Sequence, residues 1–291
     1  MDIYSILSSA RYEPAVAASL TYAGVFAFAH LARKASDSAL RRHSQPHTFV
    51  MEAIAALQMC TCTYENGVIV ANYGLYGFFV AVAVLLTAAG FMNRGAFGNI
   101  LAYAERLWLG QITLTVFLTT LLGQLAGAYL AFGTANLIWH WTAPYSESHA
   151  TAAASTCNLA FKVSVDWLPL VEAAFCFALR FSLGLFVHTE YRRKYLLPVV
   201  ISAFLSAALR FIGVAGMNPL IAFARLTVCR GLTREHFYIV FWLASTLGWI
   251  AGGAAQRAFE KSWWNKKAKK AADKTKKSLE TKNSPETKKG K

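Results

Sequence analysis

The chain has 291 residues, 56% of them hydrophobic and only 15% charged, a balance that excludes an ordinary soluble globular domain. Its net charge of +14 invites a nucleic-acid reading, but residues 257–291 alone hold 13 Lys/Arg against 4 Asp/Glu. A charge gathered in one tail reads as a solvated, disordered extension that favours one side of a membrane and attracts anionic lipid, so no nucleic-acid partner is expected.

A membrane span needs about 20 apolar residues. The first candidate, 14–32, is followed by the basic segment RKASDSALRR (33–42). Because the basic residues follow the apolar run, it does not read as a signal peptide. Candidates 48–64 and 68–90 come next, separated by YENG (64–67), and then 107–133. The stretch 134–166 reads as a long loop whose one basic residue is Lys162. Spans at 167–188, 197–214 and 236–256 complete the set, with the basic loop YRRK (191–194) between the first two. Placing the basic segments in the cytosol makes every connection alternate correctly, provided 14–32 crosses the bilayer. Residues 1–13 then face the lumen or the exterior, and the C-terminal tail is cytosolic. The fold class is an all-α, multi-pass membrane protein.

The five cysteines, Cys60, Cys62, Cys157, Cys176 and Cys229, show no metal or disulfide pattern; Cys157 has no obvious lumenal partner, and buried thiols are the default reading for most of them. His30, His140, His149, His188 and His236 are scattered at span ends and loops, where an interfacial role is expected.

The sequence repeats itself at long period. VMEAIAALQ (50–58) resembles LVEAAFCFA (170–178), with Glu52 and Glu172 in register. GAFGNILAYA (95–104) resembles AGMNPLIAFA (215–224), and Gly127 resembles Gly248. Each copy holds three spans and one short Asn-led segment, so the second copy must be inverted across the membrane. Inverted repeats place their sites at the midplane, on broken helices whose N-termini point at the substrate. Asn99 and Asn218 then start two half-helices from opposite faces, and Pro219 suits a first helical position. The paired positive ends disfavour cations there. Domain boundaries follow: 1–47 for the extra apolar helix and its linker, 48–257 for the paired repeats (48–135 and 167–257 around a loop at 136–166), and 258–291 for the tail.

These motifs resemble the aquaporin family, over residues 20–257, and most of all its superaquaporin branch, which holds aquaporins 11 and 12. GAFGNILA and GMNPLIAF are similar to the family's two Asn-Pro-Ala loops, with Gln111 and Gln124 spaced as after the first loop. HTFVMEAIAALQMCTCTYE and HFYIVFWLASTLGW resemble the first and last core helices, and Cys229 matches a cysteine of the branch. The resemblance implies six core helices, two reentrant half-helices and one extra N-terminal helix. It implies pore asparagines at Asn99 and Asn218, with motif neighbours Ile100, Leu101, Pro219 and Leu220. Asn93-Arg94-Gly95 is an alternative first motif, which would put Arg94 in the pore. Glu52 and Glu172 match glutamates that brace the loops through backbone N–H groups. The constriction maps to Phe78, Ser206, Ala215 and Ile221, and Ile221 stands where the family has arginine. Arg210, near the second loop, could supply a charge at the pore mouth.

The implied function is a passive channel for water, glycerol or hydrogen peroxide, assembled as a homotetramer, with no cofactor, metal or catalytic residue. KKGK (288–291) resembles a retrieval signal for the endoplasmic reticulum. Competing readings are a secondary transporter with inverted repeats and a non-conducting membrane protein descended from a channel.

Overall fold

The computed structural model describes residues 12–186, 189–227 and 229–282, with side chains as far as Trp263. It is built of helices, and among the described residues the only β pairing is an isolated bridge, Asn158 to Arg230. In chain order these are α1 (Glu13–Ala39), α2 (Gln45–Met92), α3 (Ile100–Trp108), α4 (Leu114–Thr142), α5 (Glu147–Ala154) and α6 (Leu168–Phe186). A π-helical turn (Arg192–Leu196) leads into α7 (Leu197–Phe211), followed by α8 (Pro219–Leu226) and α9 (Arg234–Tyr238). A second π-helical turn (Ile239–Ala244) joins α9 to α10 (Ser245–Lys282).

Six of the described helical segments are long and apolar enough to cross a membrane. One of them, α2, supplies two crossings. A straight helix of its length would run about 70 Å, more than twice the hydrocarbon thickness of about 30 Å. Gly74 breaks it with φ +63, a left-handed conformation open to glycine. The chain then doubles back, since Gln58 Nε2 and Asn93 Oδ1 lie 3.4 Å apart. The two limbs are 45–73 and 75–92.

The turn therefore falls at Gly74 and not at YENG, as the sequence suggested. Glu65 and Asn66 stay inside the first limb because tertiary partners satisfy them. Trp139 Nε1 donates to Glu65 Oε2 at 2.7 Å, and Tyr22 Oη donates to Asn66 Oδ1 at 2.6 Å. α4 also starts later than the expected span, at Leu114, because Gly110 (φ +67) ends the segment before it and Thr113 caps the new helix. It continues to Thr142, so the expected loop is shorter and contains a helix of its own, α5.

α1 lies along the first limb of α2 for its whole length. The Ala15 N–H donates to Tyr73 Oη at 3.1 Å, Tyr22 meets Asn66, and Arg33 Nη2 donates to Gln58 Oε1 at 2.8 Å. Its 27 residues reach about 40 Å, enough to cross. Outward faces remain apolar: Leu20, Phe28, Leu122 and Leu247 are all more than half exposed, which suits lipid contact.

The repeat is visible in helix packing. A Cβ on Gly127 would strike the Ala53 carbonyl, and one on Gly248 would strike the Ala173 carbonyl. Ala53 follows Glu52 and Ala173 follows Glu172, so the same close helix approach occurs twice. The Lys-rich tail, expected to be disordered from residue 258, continues α10 as backbone helix to Lys282. Its Ala, Lys and Glu residues are good helix formers. The KKGK segment lies outside the described residues.

Candidate functional site

α3 and α8 begin side by side. Asn99 caps α3 by accepting the Leu101 N–H at 3.0 Å, and Asn218 caps α8 by accepting the Leu220 N–H at 3.1 Å. Both have the extended backbone of a helix cap. The two starts touch: Asn218 Nδ2 donates to the Gly98 carbonyl at 3.1 Å. From there the half-helices diverge. Glu105 on α3 meets Arg257, near the far end of the last span, whereas the Ala224 carbonyl of α8 accepts Tyr64 Oη. Tyr64 lies toward the opposite face, where α1 begins. The motif neighbours Ile100, Leu101, Pro219 and Leu220 are all buried. Asn93 instead ends α2 and accepts from Arg33, while Arg94 pairs with Asp37, so this alternative triplet forms a turn away from the paired starts.

The two glutamates hold the half-helices by different means. Glu172 is fully buried; its Oε1 accepts the Met217 N–H, immediately before Asn218, and the Ser245 hydroxyl at 3.2 Å. Glu52 was expected to hold backbone N–H groups as well. Its partners are side chains: Tyr103 Oη on α3 donates at 2.5 Å and Gln124 Nε2 on α4 at 2.8 Å. Tyr103 projects from the half-helix itself, so this hydrogen bond ties α3 directly to α2.

The residues expected at the constriction lie on different elements. Phe78 is buried on the second limb of α2. Ser202 Oγ donates to the Phe79 carbonyl at 2.5 Å, which sets α7 against that limb one turn before Ser206. Ser206 Oγ is itself buried without a hydrogen-bond partner, and Ala215 is half-buried between the buried Val214 and Gly216. Ile221 packs into the apolar cluster of Ala56, Cys60 and Tyr64. Arg210 is exposed, with its guanidinium 6.0 Å from the Phe211 ring centre. Arg225, one turn beyond Ile221, lies 5.8 Å from the Tyr64 ring centre and lines a cavity of about 960 Å³ with Asn72, Trp139, Asn158 and Arg230. Sequence reading missed Arg225, although a period of four residues from Ile221 placed it on the same helix face.

Three further groups escaped the sequence. Cys157 and Cys229, expected to be unpaired, form a disulfide. The pairing arises because the loop before α6 is stitched to the end of α8: Leu159 N–H donates to the Arg230 carbonyl at 2.8 Å and Arg230 N–H to the Cys157 carbonyl at 3.1 Å. His149 is not interfacial but buried, its Nε2 3.0 Å from Glu65 Oε1 and its Nδ1 2.6 Å from Thr142 Oγ1. It anchors α5 to the first limb. Glu105 accepts two hydrogen bonds from Arg180, at 2.6 and 2.8 Å, and one from Arg257 at 2.5 Å. That pairing accounts for an arginine inside a span. No group of three or more metal-ligating side chains occurs among the described residues.

No protein-family model matches the chain. A Caenorhabditis elegans protein provisionally named aquaporin-10 is 38% identical over 247 residues, covering 84% of this chain and 88% of its own. Human aquaporin-11 is 24% identical over 204 residues, covering 69% and 74%, and horse aquaporin-11 is 25% identical over 227 residues, covering 77% and 82%.

Proposed function

The chain belongs to the aquaporin family, and on that premise we propose that it is a passive pore for water and small neutral solutes, glycerol and hydrogen peroxide among them, in an intracellular membrane. The observation that carries the reading is the junction of the two half-helices, where Asn218 Nδ2 donates to the Gly98 carbonyl. This contact uses one amide hydrogen. The other hydrogen of Asn218 and the amide of Asn99 remain as donors to a passing oxygen atom. Two helix N-termini converge at the same point, and their partial positive charge opposes cations. Solute range follows from Ile221, which presents no hydrogen-bonding group where the family resemblance implies arginine. An apolar wall there favours solutes that carry carbon as well as hydroxyl groups.

The disulfide supports the orientation. Cys157 and Cys229 belong on the lumenal or extracellular side, where disulfides persist. The basic segments 33–42 and 191–194 lie at the opposite face: Lys194 sits 5.2 Å from the Phe91 ring centre, beside the Arg33 end of α1. That face is then cytosolic, in agreement with the charge rule. The superaquaporin resemblance supports an endoplasmic-reticulum site and a homotetramer.

Stopped-flow light scattering on proteoliposomes tests the reading. Water and glycerol fluxes well above those of empty vesicles are expected. Asn218→Asp lowers both, because its carboxylate faces the Gly98 carbonyl without a proton to donate. Ile221→Arg lowers the ratio of glycerol to water flux. Folded, inserted protein that passes neither solute nor peroxide would sink the channel and favour a non-conducting role.

A further inference from the structure

On the face opposite the disulfide, the end of α1, the linker to α2 and the turn after α2 enclose a pocket of about 600 Å³. Lys34, Arg42, His43, His47 and Arg94 line it, with Asp37 as its carboxylate. Asp37 is shared: it pairs with Arg94, with His47 Nε2 at 3.0 Å and with Arg42 Nη2 at 3.4 Å. Three permanent cations around one carboxylate leave two positive charges in excess. Lys34 is exposed and its ammonium has no ion-pair partner among the described residues, and the Arg42 side chain is 69% exposed.

The surroundings add to the excess. Arg33, wholly buried at the same end of α1, makes only neutral contacts, to Gln58 Oε1 at 2.8 Å and Asn93 Oδ1 at 3.0 Å. Its Nε and Nη1 have no partner. The N-terminus of α2 begins at the pocket's rim and contributes its positive dipole end. Two residues of the rim, His43 (φ +63) and Arg94 (φ +50), hold left-handed backbone conformations unusual for residues with a side chain. Such conformations concentrate at ligand sites.

Below Lys34 on α1, Leu31 and Phe28 follow at three-residue spacing and are 64% and 62% exposed. They form an apolar track that runs from the pocket into the bilayer. We propose that the pocket binds an anionic lipid through a phosphate-monoester headgroup, with the acyl chains lying along Phe28 and Leu31. A phosphate monoester carries about two negative charges near neutral pH, which matches the excess. Lys34 and Arg42 close on the phosphate, and Arg94 bridges it to Asp37. Basic pockets at the ends of membrane helices are suited to such headgroups. The site does not depend on what the pore carries.

The test uses the full-length protein in mild detergent with four probes: short-chain phosphatidylinositol 4-phosphate, short-chain phosphatidylserine, the soluble inositol phosphate headgroup and inorganic phosphate. The phosphomonoester lipid is expected to bind at least tenfold more tightly than each of the others. The double variant Lys34→Gln/Arg42→Gln loses that preference at least tenfold, whereas Lys34→Arg/Arg42→Lys keeps it. Both positions are at the surface, so the variants should elute and melt like the parent. A tail variant, Lys266→Gln/Lys267→Gln/Lys269→Gln/Lys270→Gln, also keeps it. Equal affinity for phosphatidylserine, equal affinity for either soluble probe, or binding that follows the tail variant instead of the pocket variant would each overturn the proposal. So would loss of binding in the charge-conserving variant.

Discussion

The two copies of the repeat solve one problem with different chemistry. In the second, Glu172 holds the chain just before α8 through the Met217 backbone N–H, and Pro219 pre-sets the first turn. In the first, no proline follows Asn99, and Glu52 holds α3 through the side chains of Tyr103 and Gln124. An Asn-led start without a proline can thus keep its half-helix in place when a side chain on that half-helix reaches the carboxylate. The copies also differ in what secures their ends. α3 is tied by Glu105 to Arg180 and Arg257, whereas α8 is tied by the Cys157–Cys229 disulfide.

The largest effect is expected where the copies are alike. Gly127→Val and Gly248→Val each drive a side chain into a facing carbonyl, and the helices must separate. Each should abolish a monodisperse peak in fluorescence-detected size exclusion. If one variant folds normally, the two packings are not equivalent.

Next come the glutamates. Glu172→Ala leaves a backbone N–H without its acceptor in a buried site, a loss of about 1–3 kcal/mol. Glu52→Ala frees a tyrosine hydroxyl and a glutamine amide, which sit on rotatable side chains, whereas the Met217 N–H is fixed in the backbone. Thermal unfolding in detergent should therefore fall further for Glu172→Ala than for Glu52→Ala, and the reverse order would remove the proposed contrast. Tyr103→Phe sharpens it, since it should lower the melting temperature only in a protein that still carries Glu52.

The disulfide gives the smallest effect on the pore. Cys157→Ser removes a bridge closing 72 residues of sequence separation, a loss of about 2–4 kcal/mol in soluble proteins. Here neighbouring helices hold the same loop, so water flux should persist while unfolding shifts to lower temperature. Cys157→Ser/Cys229→Ser should match the single variant; a further drop would show that the thiols act independently.

Several features were legible from composition and spacing. The apolar runs, the register of Glu52 with Glu172, and the Asn-led starts at 99 and 218 are local or periodic signals. Helix capping by Asn218 and Pro219 needs only neighbouring residues. The turn at Gly74 was hidden because YENG looks like a polar connection, and only distant Trp139, His149 and Tyr22 make it compatible with a helix interior. Arg225 was hidden for a similar reason: a short amphipathic helix has several faces, and the sequence does not say which one meets a cavity.

By itself the sequence determined that the chain crosses the membrane repeatedly, that its two halves are related, and where the second half-helix begins. These depend on bilayer thickness, helical period and backbone capping, all of which act over a few residues. Tertiary structure alone decided which polar groups could be buried and which cysteines could meet. Glu105 finds Arg180 and Arg257, Glu65 finds His149, and Cys157 finds Cys229. Each of those partners is separated by more than 70 residues, and only the packing of helices brings their charges and sulfur atoms into contact.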